Sequence, residues 1–330
     1  MEEGSGILIL NADPRIAERL SGQPLERGIR VLVQADSDAG IASYDYSRTP
    51  FYQVASPDEH VHFALQLLQR RADRPKEPRE SCPLDLSEVV GRGEQHWFTL
   101  TLSGRVMVAL ANPFPFLCSH VTIASGIHEP QFWRSAHEAE TRGKIERAVR
   151  DLYRLAAVLP TFLALFNASR EVGASLPDHQ HYQLAELPPG FGMLAIQQAA
   201  AKQPSAPFVP IGFDRDYPVC AARFTGSEET VVRAAADFLQ KWEHILKNAA
   251  TANVIALTEG TVVAVYVILR NALFRLAQGF HGVLGSMEMA GLIILSSDYE
   301  FEAVRNRQFG FARVWEMLAE VRPPGAKRVL

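Results

Sequence analysis

The segment Asp178-His179-Gln180-His181-Tyr182-Gln183 constrains the fold of this chain more than any other stretch. Its residue types alternate as they do in a β-strand, where every second side chain lies on the same face. The side chains of His179, His181 and Gln183 would then point into one space. Because a buried polar group without a partner costs about 1–3 kcal/mol, a packed core rarely tolerates such a set. The segment therefore predicts a strand over Asp178–Leu184 that borders a functional site.

A loop of small residues comes directly before this segment. Gly173 lets backbone amides approach an anion closely, and Ser175 adds a hydroxyl donor. An imidazole can attack phosphorus, while amide and hydroxyl donors hold the negative charge that spreads over the phosphoryl oxygens. The residues therefore favour phosphoryl chemistry at His181. The His-x-His spacing also suits a pair of metal ligands or two buried structural histidines.

The pattern Asn167…Gly173-Ala174-Ser175…His179-Gln180-His181-Tyr182-Gln183 resembles the active-site segment of the histidine triad superfamily. The match is to its transferase branch, which includes galactose-1-phosphate uridylyltransferase, diadenosine tetraphosphate phosphorylase and GDP-L-galactose phosphorylase. Two further segments look like parts of this branch. They are Asn112-Pro113-Phe114-Pro115 followed by His120 and His128, and Gly285-Ser286-Met287-Glu288.

The resemblance implies a role for each matching residue. His181 would form a covalent nucleotidyl-histidine, with His179 beside it, and Gln183 would bond the phosphoryl oxygens. Glu288 would bind a sugar hydroxyl on the substrate side. The residues that would bind the phosphate or the nucleotide are Asn112, His120, Asn167, Gly173 and Ser175.

Two of these roles have alternatives that the residues leave open. His120 either lies near the phosphate or only donates a hydrogen bond to a neighbouring strand. Glu288 either binds a sugar hydroxyl or is a carboxylate at the surface or N-terminus of a helix.

Gln183 indicates the type of reaction. Within the superfamily, glutamine at this third position accompanies transferases and phosphorylases, whereas histidine accompanies hydrolases. We therefore expect a nucleotidyltransferase or phosphorylase that cleaves a nucleoside diphosphate sugar or a dinucleoside polyphosphate. The nucleoside monophosphate would pass to phosphate or to a sugar phosphate. Gln180 stands where uridylyltransferases have proline, which favours the phosphorylase relatives.

Two other functions fit the same residues. A hydrolase of nucleotide sugars or dinucleotides would transfer the nucleotidyl group to water. A nucleotide-binding module would retain the pocket without catalysis. Omitting phosphate from an assay separates the hydrolase from the phosphorylase, because only the hydrolase would continue to turn over.

The resemblance also implies a structural zinc site, although the reaction itself requires no cofactor. Some uridylyltransferases bind zinc through the first histidine of the pair, a Cys-x-x-Cys motif and another histidine. The corresponding residues here are His179, Cys82 and His128. Asp85 replaces the second cysteine, and an oxygen atom can also be a zinc ligand.

The composition excludes several kinds of partner. The chain has 330 residues, is 47% hydrophobic and carries a formal net charge of -4. Without a basic excess, we expect neither nucleic acid nor an anionic membrane as a partner. Three cysteines do not make a disulfide framework, and the apolar stretches are too short to span a bilayer. We therefore expect a cytoplasmic protein that binds small molecules, and its oligomeric state stays open.

The expected fold is α+β, with two histidine-triad-like halves of antiparallel sheet flanked by helices, as in galactose-1-phosphate uridylyltransferase. Residues 1–205 would form the half with the His-x-His-x-Gln segment, and residues 206–330 the half without it. Local patterns predict a hairpin around Ser103-Gly104-Arg105 and a helix over Glu140–Leu159. They also predict the strand Ile29–Gln34, the helix Pro57–Arg71 and a single final helix over Asp298–Leu318.

Overall fold

The structure is a computed structural model that describes residues 7–41, 49, 51–68, 82–134, 137–214, 216–274, 276–278 and 280–330. Within these residues the fold is α+β, which confirms the predicted class. The strands are β1 Ile9–Ala12, β2 Phe51–Ala55, β3 His62–Leu67, β4 Trp97–Leu102, β5 Arg105–Ala111, β6 Cys118–Ser125, β7 Phe162–Asn167, β8 His181–Glu186, β9 Phe208–Ile211, β10 Ala221–Thr225, β11 Ala250–Glu259, β12 Val262–Asn271 and β13 Leu292–Leu295. The helices are α1 Ala17–Leu20, α2 Leu25–Asp38, α3 Leu86–Arg92, α4 Glu138–Val158, α5 Ala195–Ala200, α6 Glu228–Leu246, α7 Ser286–Ala290, α8 Asp298–Arg305 and α9 Phe311–Glu320.

The larger sheet consists of two related units. Its strands are antiparallel and follow the order β1-β4-β5-β6-β8-β7-β11-β12-β10-β9. The order β5-β6-β8-β7 on one side of the β7–β11 pair corresponds to β9-β10-β12-β11 on the other. In each unit a long helix connects the strands that come second and third along the chain. The helix is α4 in the first unit and α6 in the second, and the two helices pack together. The two related halves were predicted, whereas a boundary between residues 205 and 206 stays a prediction.

Both faces of this sheet are covered. On β11, Val254 and Ala256 pack into a core shared with α2, α4 and α6. Their neighbours Ile255 and Leu257 pack into a second core shared with α5, α7 and α9. Since successive side chains of a strand point to opposite faces, the large sheet is the middle layer of the molecule.

A small second sheet connects the two halves. Strand β3 pairs parallel with β13 and antiparallel with β2, so a strand from the first half lies beside one from the second. The short helix α7 comes just before β13, and the amide of Ser286 at its start donates to Asn167 at the end of β7. The small sheet therefore brings the segment around Glu288 to the end of the central strands.

Two local predictions are confirmed. The predicted hairpin is formed by β4 and β5, and both Ser103 and Gly104 at its turn have positive φ angles, of 50° and 76°. Such angles are those of the tight turns that join twisted antiparallel strands. The long helix is α4, which begins two residues earlier than predicted, at Glu138.

The prediction of a strand over Ile29–Gln34 was wrong, because this segment lies inside α2. The buried residues Leu25, Ile29 and Leu32 recur at steps of four and three, as on one face of a helix. The six-residue stretch of the prediction was too short to show this period.

The helix predicted over Pro57–Arg71 was also wrong. The structure has a turn followed by β3, and residues 69–71 lie outside the described residues. Four consecutive residues of β3, Phe63 to Gln66, are buried, since the strand is covered on both faces. The single final helix is instead α8 and α9, separated at Arg307, whose φ is 58°.

Candidate active site

His181 is the first residue of β8, which lies between β6 and β7 in the large sheet. The predicted strand was to begin at Asp178, so His179 precedes the strand rather than lying within it. The side chain of His181 is buried, and its Nδ1 lies 2.8 Å from the carbonyl oxygen of His179. A carbonyl oxygen can only accept, so Nδ1 carries the proton and the lone pair of the neutral ring is on Nε2.

Gln131 fixes the backbone at His181. Its Oε1 accepts from the His181 amide at 2.6 Å, and its Nε2 donates to the His181 carbonyl at 3.0 Å and to the Asn167 carbonyl at 2.9 Å. Gln131 is buried in the loop between β6 and α4. It therefore joins the beginning of β8 to the end of β7. No sequence pattern predicts a role for this residue, since a lone glutamine in an irregular loop carries no local signal.

His120 on β6 orients Gln183 on β8. The Phe116 amide donates to His120 Nδ1 at 3.4 Å, so the proton of the neutral ring is on Nε2. That Nε2 lies 3.1 Å from Gln183 Oε1, which accepts from it. The amide nitrogen of Asn112 lies 3.3 Å from the same ring atom, but it cannot donate to a nitrogen that carries a proton. His120 thus donates to a side chain on the neighbouring strand. Because this bond occupies Oε1 of Gln183, the NH2 group of Gln183 faces away from His120 and would be the donor to a ligand.

Two loops approach each other beside the end of β7. Gly173 has a φ of 104°, and a Cβ atom there would lie 2.9 Å from the Cα of Gly285. The Oδ1 of Asn167 accepts from Asn253 Nδ2 at 2.7 Å and from the Ser286 amide at 3.0 Å. Glycine at 173 is therefore needed both for its backbone conformation and for the close approach of the loop that contains Gly285.

Ser175 lies on the first of these loops, and Glu288 comes three residues after Gly285 of the second. Ser175 is half-buried, between Gly173 and His179. Glu288 is buried in α7, and its Oε2 accepts from the Gly285 amide at 2.9 Å. The structure brings Glu288 to the loop that contacts Asn167; its predicted role toward a sugar stays a prediction.

The ring of His179 faces a different group of side chains from that of His181. One ligand atom each of Cys82, Asp85, His128 and His179 lie within 4.8 Å of one another. Cys82 Sγ lies 3.3 Å from His179 Nδ1, and Asp85 Oδ1 lies 3.1 Å from the same nitrogen. Asp85 Oδ1 also lies 3.0 Å from His128 Nδ1. The three residues predicted as zinc ligands are therefore together, with Asp85 as the fourth.

The donor set of this group suits a zinc ion. His179 Nε2 lies 2.7 Å from the Ser125 carbonyl oxygen and must donate to it, so the lone pair on Nδ1 faces the other three side chains. Ligand atoms of a tetrahedral zinc site lie roughly 3–4 Å apart. Burial raises the pKa of the Cys82 thiol. A bound dication would offset this effect, because zinc stabilises the thiolate.

A buried polar network holds the opposite face of the catalytic segment. The Gln180 side chain donates to the Tyr182 hydroxyl at 2.8 Å and accepts from Arg105 at 3.0 Å. Tyr182 and Arg105 both donate to Asp151 on α4. Burial raises the pKa of the Asp151 carboxyl, and burial together with Asp151 raises that of the Tyr182 hydroxyl. Gln180, which stands between the two histidines, is thus held by hydrogen bonds at both ends of its side-chain amide.

Comparisons with known proteins concern the fold that holds these residues. A family model described as a domain of unknown function (DUF4922) matches residues 99–186, which include both histidines of the pair. The solved structure of yeast Ap4A phosphorylase Apa2 with AMP is similar over 91% of this chain and 98% of that chain, at 17% identity and a TM-score of 0.64. This chain has the fold of Ap4A phosphorylase. The same yeast enzyme with Ap4A is similar over 90% of this chain and 97% of that chain, at 16% identity and a TM-score of 0.62.

The fold expected from the resemblance is thereby confirmed over most of the chain. No curated protein matches the chain in a sequence comparison. Among the helices that the structure describes, none is both long and apolar enough to cross a bilayer.

Proposed function

We propose that this protein is a nucleotidyltransferase of the phosphorylase type that works through a covalent nucleotidyl-His181 intermediate. The observation that supports it most directly is the hydrogen bond from His181 Nδ1 to the His179 carbonyl, because it puts the attacking lone pair on Nε2. The fold supports the reaction class, since the yeast enzyme that shares it is a phosphorylase of Ap4A.

In the first step, His181 Nε2 attacks the α-phosphorus of a nucleoside diphosphate sugar or a dinucleoside polyphosphate. The bond from that phosphorus to the bridging oxygen breaks, and the leaving phosphate departs with the electron pair. The NH2 group of Gln183 and the hydroxyl of Ser175 donate to the phosphoryl oxygens as their charge grows. The ring becomes cationic, and its Nδ1 proton still donates to the His179 carbonyl.

In the second step, an oxygen of inorganic phosphate or of a sugar phosphate attacks the same phosphorus. The phosphorus–nitrogen bond breaks, and its electron pair returns to Nε2. Neither step requires a proton from the protein, because a phosphate is the leaving group of the first step and the nucleophile of the second. Splitting the reaction in this way predicts ping-pong kinetics.

The experiment that tests the proposal measures the protein-bound label. The protein is incubated with α-³²P-labelled Ap4A, and with labelled nucleoside diphosphate sugars of each base, without an acceptor. We expect about one label per chain, stable to base and labile to acid, and turnover that stops until phosphate is added. The nucleotide that labels the protein also identifies the base.

Each other outcome contradicts the proposal in its own way. Continuous release of nucleoside monophosphate without phosphate would make the protein a hydrolase. Tight binding of a nucleotide without label or turnover would make it a binding module. A labelled product after phosphate is added, with no labelled protein at any time, would indicate direct transfer between substrates.

We also propose that Cys82, Asp85, His128 and His179 bind a structural zinc ion. The support is the close grouping of their ligand atoms and the orientation of the His179 ring by Ser125. The ion would hold the ring of His179, whose backbone carbonyl in turn accepts from His181. Its role would be to fix the segment before β8, since structural zinc sites supply folding energy.

Elemental analysis of the purified protein tests the zinc site. We expect about one zinc per chain in the wild type and less than about a third of that in Cys82→Ser, because the thiolate is the preferred ligand. The matched control is Cys118→Ser, which changes another half-buried thiol and should retain the metal. We further expect Asp85→Cys to bind zinc at least about tenfold more tightly against a competing chelator. Equal zinc content in Cys82→Ser and Cys118→Ser would refute the site.

A further inference from the structure

Arg270 is a wholly buried cation that the mechanism above does not use. It lies on β12, in the half of the chain that lacks the histidine pair. Its Nη1 donates to Asn253 Oδ1 at 2.8 Å and to the Leu284 carbonyl at 2.8 Å. Burial lowers the pKa of Arg270 to about 10, while the charge of Glu288 acts in the opposite direction. The guanidinium is therefore still charged at neutral pH.

The two groups that accept from Arg270 Nη1 are each connected to the side chain of Asn167. The Nδ2 of Asn253, whose Oδ1 is bonded to Arg270, donates to Asn167 Oδ1 at 2.7 Å. The Ser286 amide, two residues after Leu284, donates to the same Asn167 oxygen at 3.0 Å. The two donors that hold the Asn167 side chain are thus each anchored on Arg270.

These hydrogen bonds determine which way the Asn167 amide faces. Because Oδ1 is occupied by two donors, the NH2 end lies on the other side, beside Gly173 and Gly285. A Cβ atom at Gly173 would be 3.3 Å from Asn167 Nδ2, and one at Gly285 would be 3.5 Å from it. The NH2 group is therefore directed to the place where the two glycine loops meet, beside the beginning of β8.

The surroundings of Arg270 differ from those of a purely structural arginine. Arg223 on β10 is also buried, and its guanidinium bonds the carboxylate of Glu259 and the Pro204 carbonyl. In Arg270, Nε and Nη2 have no hydrogen-bond partner among the residues that the structure describes. Buried N–H groups are rarely left without partners, so these two call for an explanation.

We propose that Arg270 is a positioning residue of the nucleotidyl-transfer site, which orients the Asn167 amide toward the phosphate through Asn253 and the Leu284–Ser286 segment. The proposal rests on the proposed function, because it assigns Asn167 to the phosphate of the substrate. The half of the chain that lacks the histidine pair then holds the side chain of Asn167 in place, in addition to lining the site.

Kinetics of four variants test the proposal. Arg270→Met removes the guanidinium and Asn253→Ala removes the next residue in the chain of bonds. We expect each to slow formation of the nucleotidyl-enzyme at saturating nucleotide by about tenfold or more, with a smaller change in KM. Arg270→Lys retains the charge and can bond one of the two acceptors, so we expect it to recover part of the rate. Arg223→Met is the matched control, which should lower the melting temperature but not the rate.

The double variant Arg270→Met/Asn253→Ala tests whether the two residues act in series. If Arg270 acts through Asn253, the double variant should be about as slow as the slower single variant. If the two rate losses instead multiply, to about a hundredfold, Arg270 acts independently of Asn253. That result would overturn the proposed action through Asn253.

Hydrogen exchange gives a readout that does not depend on activity. The Ser286 amide is held by Asn167 Oδ1, so we expect it to exchange at least about tenfold faster in Arg270→Met and in Asn253→Ala than in Arg223→Met. Unchanged exchange at Ser286 would overturn the proposal even if every variant were less active. Conversely, a wild type that is never labelled would refute the proposed function, while the exchange result would still decide whether Arg270 anchors Asn167.

Discussion

Replacing His181 by alanine should abolish the nucleotidyl-enzyme and lower the rate of transfer by at least about a thousandfold. In the proposed mechanism Nε2 of this ring is the atom that bonds phosphorus, and no other group replaces it. Substitution of a nucleophile that acts in concert with its neighbours removes most of the rate enhancement. The measurement is the amount of α-³²P label on the protein, together with the rate of product release in the presence of phosphate.

The effect on stability should be small by comparison. His181 is buried, so alanine leaves a cavity and removes the donor to the His179 carbonyl. A lost hydrogen bond to a buried group costs about 1–3 kcal/mol, which most folded domains survive. His96→Ala is a suitable control, because His96 is also buried and its Nδ1 bonds Asp36 at 2.6 Å, outside the site. That variant should lose stability but retain the label.

Two results would contradict the assignment. If His181→Ala still carried an acid-labile label, another residue would be the nucleophile. If it retained more than about a tenth of the wild-type rate, the ring would assist rather than form the covalent bond. His181→Ala should change nucleotide affinity little, since in the proposed mechanism side chains on the neighbouring loops also bind the phosphate.

The site was predictable from the sequence where its residues lie close together in the chain. His181 and Gln183 are two positions apart on β8, and Gly173 lies in the loop just before them. Their order in the chain nearly reproduces their arrangement in space. The proposed zinc ligands, in contrast, come from segments far apart, and only the resemblance to a known family indicated that Cys82 and His128 would meet His179.

Residues that acquire a role only through the tertiary structure could not be predicted. Arg270 follows an apolar run on β12, and Asn253 lies in a similar run on β11. Nothing near them in the sequence shows that they approach Asn167. Their proximity depends on the pairing of β7 with β11, which places Asn253 directly opposite Asn167.

The errors in secondary structure have a common physical cause. The strand predicted within α2 came from a short apolar run, and the helix predicted over β3 came from a few apolar residues at helical spacing. Over such short stretches neither pattern distinguishes a helix from a strand. In β3, burial on both faces removes the alternation that identifies a strand, because the small sheet packs between other elements. Long or isolated patterns, such as those of α4 and the β4–β5 hairpin, were assigned correctly.

Replacing Gln131 by methionine should destabilise the protein and also slow the transfer. Methionine has a similar length but leaves three backbone groups without their partner, the amide and carbonyl of His181 and the carbonyl of Asn167. At about 1–3 kcal/mol for each buried group, we expect the free energy of unfolding to fall by about 3 kcal/mol or more. Denaturant unfolding measures this loss, and single-turnover labelling measures the rate.

The rate is the more informative of the two measurements. Gln198→Met is the matched control, since that glutamine also bonds two backbone groups, the His62 amide and the Met193 carbonyl, away from the site. Under conditions where both variants are fully folded, Gln131→Met should label at least about tenfold more slowly than Gln198→Met, because a displacement of about 1 Å in a nucleophile can cost a hundredfold in rate. Equal labelling rates would mean that Gln131 stabilises the fold without positioning His181, and the position of the ring would then depend on the hydrogen bond to His179 and on the zinc site behind it.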